Sequence, residues 1–312
     1  MTTDVQRAEV SSTKSLKKKL SFSSLPYKKQ KIIISILFLM VPVVLLTVFT
    51  YLPAISMAGY SFTDWDGISK TKNFVGLKNY KTIFSDIKFF TPLFVSIYYF
   101  IASFVQIGLA VVISFLVSFG CKGSNFFKSV YFFPSLINSV AIGFMFIFFF
   151  QPGSTLDTVL NSIGLGSLTQ YWLQDPKLIN VSLASVSVWR YIGYNIVMFS
   201  AAMASISPDI LEAARVDGAS KFQQLIHIVL PGISTILGLQ LFLSITGALS
   251  AFEIPYIMTG GGNGSMTFII QTVNYAFQNH RVGLASALAM ILLALCIIIT
   301  VIQKLIFREK GV

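Results

Sequence analysis

Charge is what this sequence has least of. Of its 312 residues only 11% are Asp, Glu, Lys or Arg, and 12 of them are acidic. A water-soluble domain carries about 25% charged residues, so this chain lacks the polar surface to face solvent all round. Histidine is scarcer: His227 and His280 lie in separate polar segments, too few and too far apart for a metal site. No constellation of His, Asp or Glu gathers near one end of an apolar run, which excludes the usual equipment of an integral-membrane enzyme. Cys121 falls in a short loop and Cys296 inside an apolar run, so no disulfide framework is implied. No G-x-x-x-x-G-K-[ST] phosphate loop occurs, so the chain cannot supply nucleotide hydrolysis itself.

What is present is apolar. Hydrophobic residues make up 54% of the chain, Phe alone contributes 29, and the mean hydropathy is +0.75. Six runs approach the ~20 apolar residues that a bilayer core demands. They cover about 32–58, 92–119, 129–150, 179–205, 232–256 and 284–306. An all-α integral membrane protein with six transmembrane helices is therefore expected, as one membrane domain over 31–308 behind a basic cytoplasmic tail, 1–30. The Ser-, Thr- and Lys-rich residues 1–25 are expected to be disordered. The first run is too long for a signal peptide and no small-x-small cleavage site follows, so it reads as a retained anchor.

The net charge of +11 does not point to nucleic acid, because the basic residues cluster outside the apolar runs instead of interleaving with aromatics. They set orientation. With both termini cytoplasmic, the inside holds eight Lys and Arg in the tail, then Lys122, Lys128, Arg215, Lys221, Lys304, Arg308 and Lys310. The outside holds Lys70, Lys72, Lys78, Lys81, Lys88, Lys177 and Arg281, fewer than half as many. The tail decides the balance. Three segments then lie outside: 59–91, polar enough to fold as a small cap; 151–178, rich in Gly, Ser, Thr and Asn; and 257–283, with the flexible run Gly260 to Gly264.

One polar island, 206–231, stands between the fourth and fifth runs. Ser207 suits an N-cap, Pro208 a first helical turn and Asp209 the positive end of a helix dipole, which predicts a helix from Pro208 to about Val216. Asp217-Gly218 then breaks it, since Gly tolerates a left-handed backbone. A second helix, about 219–229, is expected to carry Phe222, Leu225 and Ile226 on one side before Pro231. Two short helices at an angle form a knob able to sit in a groove of a soluble partner.

The spacing inside this island is specific: Glu212-Ala213-Ala214, three residues, Gly218, nine residues, Ile228, one residue, Leu230-Pro231. It resembles the EAA loop of binding-protein-dependent ABC importers, the place where the permease docks on its cytoplasmic ATPase. Other segments resemble sugar permeases of the maltose type: Phe62-Thr63-Asp64, Phe74 to Tyr80, Trp189, Phe252 to Gly262, Ala276-Phe277, and Gly283 to Ala287. The likeness covers roughly residues 32–306. It departs where Asn263 stands in place of a proline that usually follows the glycines, and at Glu253, where a shorter acid is common.

The resemblance implies the transmembrane domain of a type I ABC importer in the bacterial plasma membrane. It further implies a second homologous permease, two ATPases that use ATP and Mg, and an external binding protein that delivers a carbohydrate. This chain would bind no cofactor. Glu212 would pair with a basic group of the ATPase, with Asp217 and Gly218 at the break, and Gly218 and the two alanines would allow close packing.

Polar or aromatic residues inside spans are the candidates for a substrate path. Tyr194 aligns with a position that contacts sugar in the maltose permease; it either stacks on a pyranose ring or packs between helices. Arg190 and Asn195 stand on the same span without that carry-over. Arg190 either snorkels outward or pairs with Glu253. Ser244, Ala248 and Ala251 fall at i, i+4 and i+7 on the fifth span and align with the sugar-contacting stripe. Their small side chains leave room for a substrate and equally suit tight helix packing. Glu253 reads as an interfacial acid or a ligand group. A polyol or a glycerol phosphate is the alternative substrate, with Arg190 as counter-charge. A self-sufficient six-helix carrier or channel is the alternative class, and it would need several intramembrane acids where the spans hold only Glu253.

Overall fold

The computed structural model describes residues 25–120 and 123–308, so the basic tail through residue 24, Cys121 and Lys122 lie outside the described residues. Its described residues form helices throughout, with one isolated bridge between Thr63 and Phe74. Four helices are long and apolar enough to cross a membrane, and two bent pairs raise the number to six.

The first of these, α1 (Tyr27–Tyr60), belongs to a separate compact unit ending at Gly59. It contains Pro42, and a π turn, Thr47–Tyr51, precedes Pro53, whose missing N–H cannot serve an α-helical ladder. None of its residues is buried, so it presents apolar side chains all round, as a helix bathed in lipid or a partner must.

The second unit begins at Tyr60. The segment after it folds into a small cap, as expected. Asn79 donates to the carbonyls of Ser61 and Thr63 at 2.9 and 2.8 Å, and α2 (Lys78–Ser85) buries Ile83. Asp66 accepts from Ser69 and Ile68 within the cap turn, which holds its carboxyl down to about 2.

Helix α3 (Thr91–Gly120) is the central post and packs along α7 (Ile179–Met203). Between them in sequence, the expected single span over 129–150 is two helices, α4 (Ser124–Leu136) and α5 (Ser139–Phe149), meeting at 94°. The hydropathy is continuous across the bend, so the cause is local. Ile137 is extended, and the Asn138 side chain accepts from the Val140 N–H, starting a new helix. Where α4 crosses α7, Gly193 lies so close to the Tyr131 carbonyl that any Cβ would collide with it.

The segment that follows, 151–178, is pinned by α6 (Thr155–Ser162). Asp157 is buried and accepts from Trp172 Nε1 at 2.9 Å and from the Gly153 N–H at 2.7 Å. Those two donors favour the carboxylate and lower its pKa.

After α7 come the two short helices of the polar island, α8 (Pro208–Val216) and α9, which starts at Lys221–Gln224. The expected fifth span is present as one membrane-length stretch, Ser234–Thr259, in which a short break at Ser250–Phe252 separates α10 (Ser234–Leu249) from α11 (Glu253–Thr259); the second bent pair is α7 with α8, at 81°. Phe268–Val273 forms α12, and Val282–Arg308 forms the closing helix α13.

Candidate functional site: an exposed helical knob and a cleft

Ser207 caps α8 by accepting from the Asp209 N–H at 3.3 Å, with Pro208 in the first turn and Arg215 in the last. The chain reverses at Gly218, whose φ of +87° is the left-handed conformation that the Asp217-Gly218 pair predicts. A Cβ at Gly218 would meet nothing within 4 Å, so its reason is backbone geometry and not close packing within this chain. Helix α9 opens with a capping box that sequence reading overlooked: Gln223 N–H donates to Ser220 Oγ, and Ser220 N–H donates to Gln223 Oε1.

The expected end of that second helix at 229 is corrected by the structure. It continues through a π turn, Leu225–Val229, into Leu230–Gly232, and as at Pro53 the π turn precedes a proline, Pro231, whose missing N–H cannot serve an α-helical ladder. Nor do the three apolar residues share one environment. Leu225 is buried, while Phe222 and Ile226 are exposed.

The knob is rooted in the membrane domain. Leu211, Leu225, Val229 and Ile233 join one buried cluster with Ile107 and Phe115 of α3 and Ile196 and Phe199 of α7. Glu212, Ala213, Asp217 and Gly218 are exposed on its free face, Ala214, Ile228 and Leu230 are half-buried, and Pro231 is exposed. Val216 is 88% exposed.

Further along α7, α3 and α10 border a cleft of about 610 Å³. Six of the seven path candidates line it: Tyr194, Asn195, Ser244, Ala248, Ala251 and Glu253. Tyr194 is 39% exposed and Asn195 only 3%. Arg190, the seventh, is buried behind the lining. Its Nη1 donates to Glu253 Oε2 at 3.1 Å, and its guanidinium lies 4.9 Å from the centre of the Tyr191 ring. Of the two readings open for Arg190, pairing with Glu253 is the one observed. Ser139, at the start of α5, donates to the same carboxylate oxygen. One acid thereby ties the breaks in the third and fifth spans to α7.

The cleft also contains residues that sequence reading missed, among them Tyr99, Ser103, Gln106, Ser187, Tyr191 and Gln240. Three of them stand on the second span, for which no candidate was named. The available signal was polar side chains at i, i+4 and i+7 (Tyr99, Ser103, Gln106) inside an apolar run. Among the described residues, no group of His, Cys, Asp or Glu could hold a metal ion.

Residues 106–311 match the family described as the binding-protein-dependent transport system inner membrane component. The chain belongs to that family. This permease is 34% identical, over 89% of its length and 97% of the relative's, to a probable ABC transporter permease protein, YurN, of Bacillus subtilis. It is 31% identical to the multiple sugar-binding transport system permease protein MsmF of Streptococcus mutans, covering 85% of this chain and 92% of that one. Its fold matches a bacterial ABC transporter involved in the import of the acidic polysaccharide alginate, with a TM-score of 0.76 at 19% identity. That match covers 90% of this chain and 96% of the other. The permease is thus a membrane-embedded transport component with the type I importer fold, and not an enzyme.

Proposed function

We propose that this permease forms half of the translocation path for a neutral sugar or oligosaccharide in an ATP-driven bacterial importer. A second homologous permease supplies the other half, an extracellular binding protein delivers the substrate, and two cytoplasmic ATPases supply the energy. ATP and Mg are used by those ATPases and not by this chain. Both termini and the knob face the cytoplasm.

The observation that carries this reading is convergence. Side chains from α7, α10 and α11, chosen for chemistry and family position alone, line one cleft. The helices bordering that cleft share their buried cluster with the exposed knob. Glu212, Asp217 and Gly218 on that knob meet the ATPase, and closure of the ATPases pushes on α8 and α9 and so on α3 and α7.

Among substrates, a neutral sugar is favoured over a glycerol phosphate. Arg190, the natural counter-charge for a phosphate, is already engaged by Glu253. The same pairing counts against an ion-coupled carrier, whose coupling acid must be free to bind and release its ion. The test is reconstitution of the assembled complex in liposomes, followed with tritiated saccharides. Accumulation that requires ATP and the binding protein is expected. Equal uptake without ATP would overturn the importer reading.

A further inference from the structure

The cleft is lined on two facing helices at the same spacing. On α3 the residues are Tyr99, Ser103 and Gln106; on α10 they are Gln240, Ser244 and Gly247. Both sets fall at i, i+4 and i+7, so each is one helical face. Helices α3 and α10 pack against one another.

The two glutamines mark one end of this lining. Ile107, next to Gln106, belongs to the buried cluster that includes the knob, and so does Ile233, two turns before Gln240. Tyr99 and Ala248 belong instead to the other cluster, around α5 and α11. The cleft therefore runs from a Tyr99–Ala248 end to a Gln106–Gln240 end nearer the knob.

Burial makes this inner end unusual. Gln106 is 8% exposed and Gln240 2%, yet Gln240 Nε2 has no hydrogen-bond partner among the described residues. Buried polar atoms are nearly always paired, and leaving one unpaired is costly. Tight packing does not need a glutamine here, since Leu would fill the same volume with no orphaned donor.

We propose that Gln240 and Gln106 form an inner station that takes the saccharide's hydroxyls after it leaves the Tyr194–Ser244 part of the cleft. A primary amide donates and accepts, as a sugar hydroxyl does, and carries no charge. The station thus suits a neutral polyhydroxylated ligand and holds it by hydrogen bonds that exist only while the substrate passes. It lies one turn beyond Ser244 on α10, outside the positions singled out from sequence. The proposal rests on reading the cleft as a saccharide path.

The test uses the assembled transporter in liposomes, with binding protein and tritiated neutral di- and trisaccharides. In Gln240→Leu and Gln106→Leu, saccharide moved per ATP hydrolysed is expected to fall about tenfold, the scale of one lost hydrogen bond at a buried site. Yield of complex and binding-protein-stimulated hydrolysis stay at the wild-type level, and Gln240→Asn recovers part of the loss. Wild-type transport per ATP in both variants overturns the proposal. So does a loss that only tracks the amount of assembled complex, which would make these residues structural. A wild-type complex that moves no saccharide overturns the sugar reading itself, and the station with it.

Discussion

At Tyr194 the aromatic ring is partly exposed on the cleft wall, one turn from the buried Arg190 and beside the buried Asn195. A ring in that position can stack on the apolar face of a pyranose. Losing such a contact costs on the order of 1–2 kcal/mol, or about a tenfold loss of affinity. Tyr194→Ala is therefore expected to cut uptake about tenfold while assembled complex is unchanged, and Tyr194→Phe to do less harm. Uptake that falls only in proportion to complex would assign the ring to packing. Arg190 and Glu253 set the charge of the same wall. Arg190 alone would be a buried unpaired cation, and together the two leave the cleft without a free charge. The sequence contains both residues 63 positions apart, and nothing in local spacing says that they meet. Their pairing is a product of how α7 and α11 pack.

The short helices α8 and α9 show what local chemistry can specify. Ser207, Pro208 and Gly218 are read by backbone rules that need no knowledge of the rest of the fold, so the first helix and the turn after it were legible in the sequence, while the capping box at Ser220 and the continuation through Pro231 were not. The break in the third span was not, because hydropathy runs straight across Ile137-Asn138 and only the cap on Val140 marks the turn. The α3 side of the cleft was missed for a related reason: a continuous apolar run hides which face its few polar residues share. The proposed coupling role depends on the chain reversal at Gly218, where a β-branched residue would be strained at φ +87°. Gly218→Val is expected to abolish transport and loosen the ATPase, with membrane insertion intact. Normal co-purification of the ATPase together with normal uptake would contradict the coupling role. Because a Cβ there has open space around it, a loss in Gly218→Ala would come from backbone strain and not from a clash.

For the whole molecule, the topology and the path are one claim. If the basic residues orient the chain as proposed, the cap around Lys72 faces outside and the knob around Lys221 faces the cytoplasm. A cysteine placed at Lys72 is expected to react with an impermeant reagent on intact cells, and one at Lys221 only after the membrane is opened. The reverse pattern would put the knob on the wrong side for any ATPase. The path itself is tested most directly by plugging it. Gly247 lines the cleft on α10, and a Cβ there meets nothing within 4 Å, so a large side chain can be added without crowding the backbone. In Gly247→Trp the complex is expected to assemble and to hydrolyse ATP in response to the loaded binding protein, while tritiated saccharide no longer accumulates. Undiminished accumulation through the filled cleft would mean that the substrate takes another route.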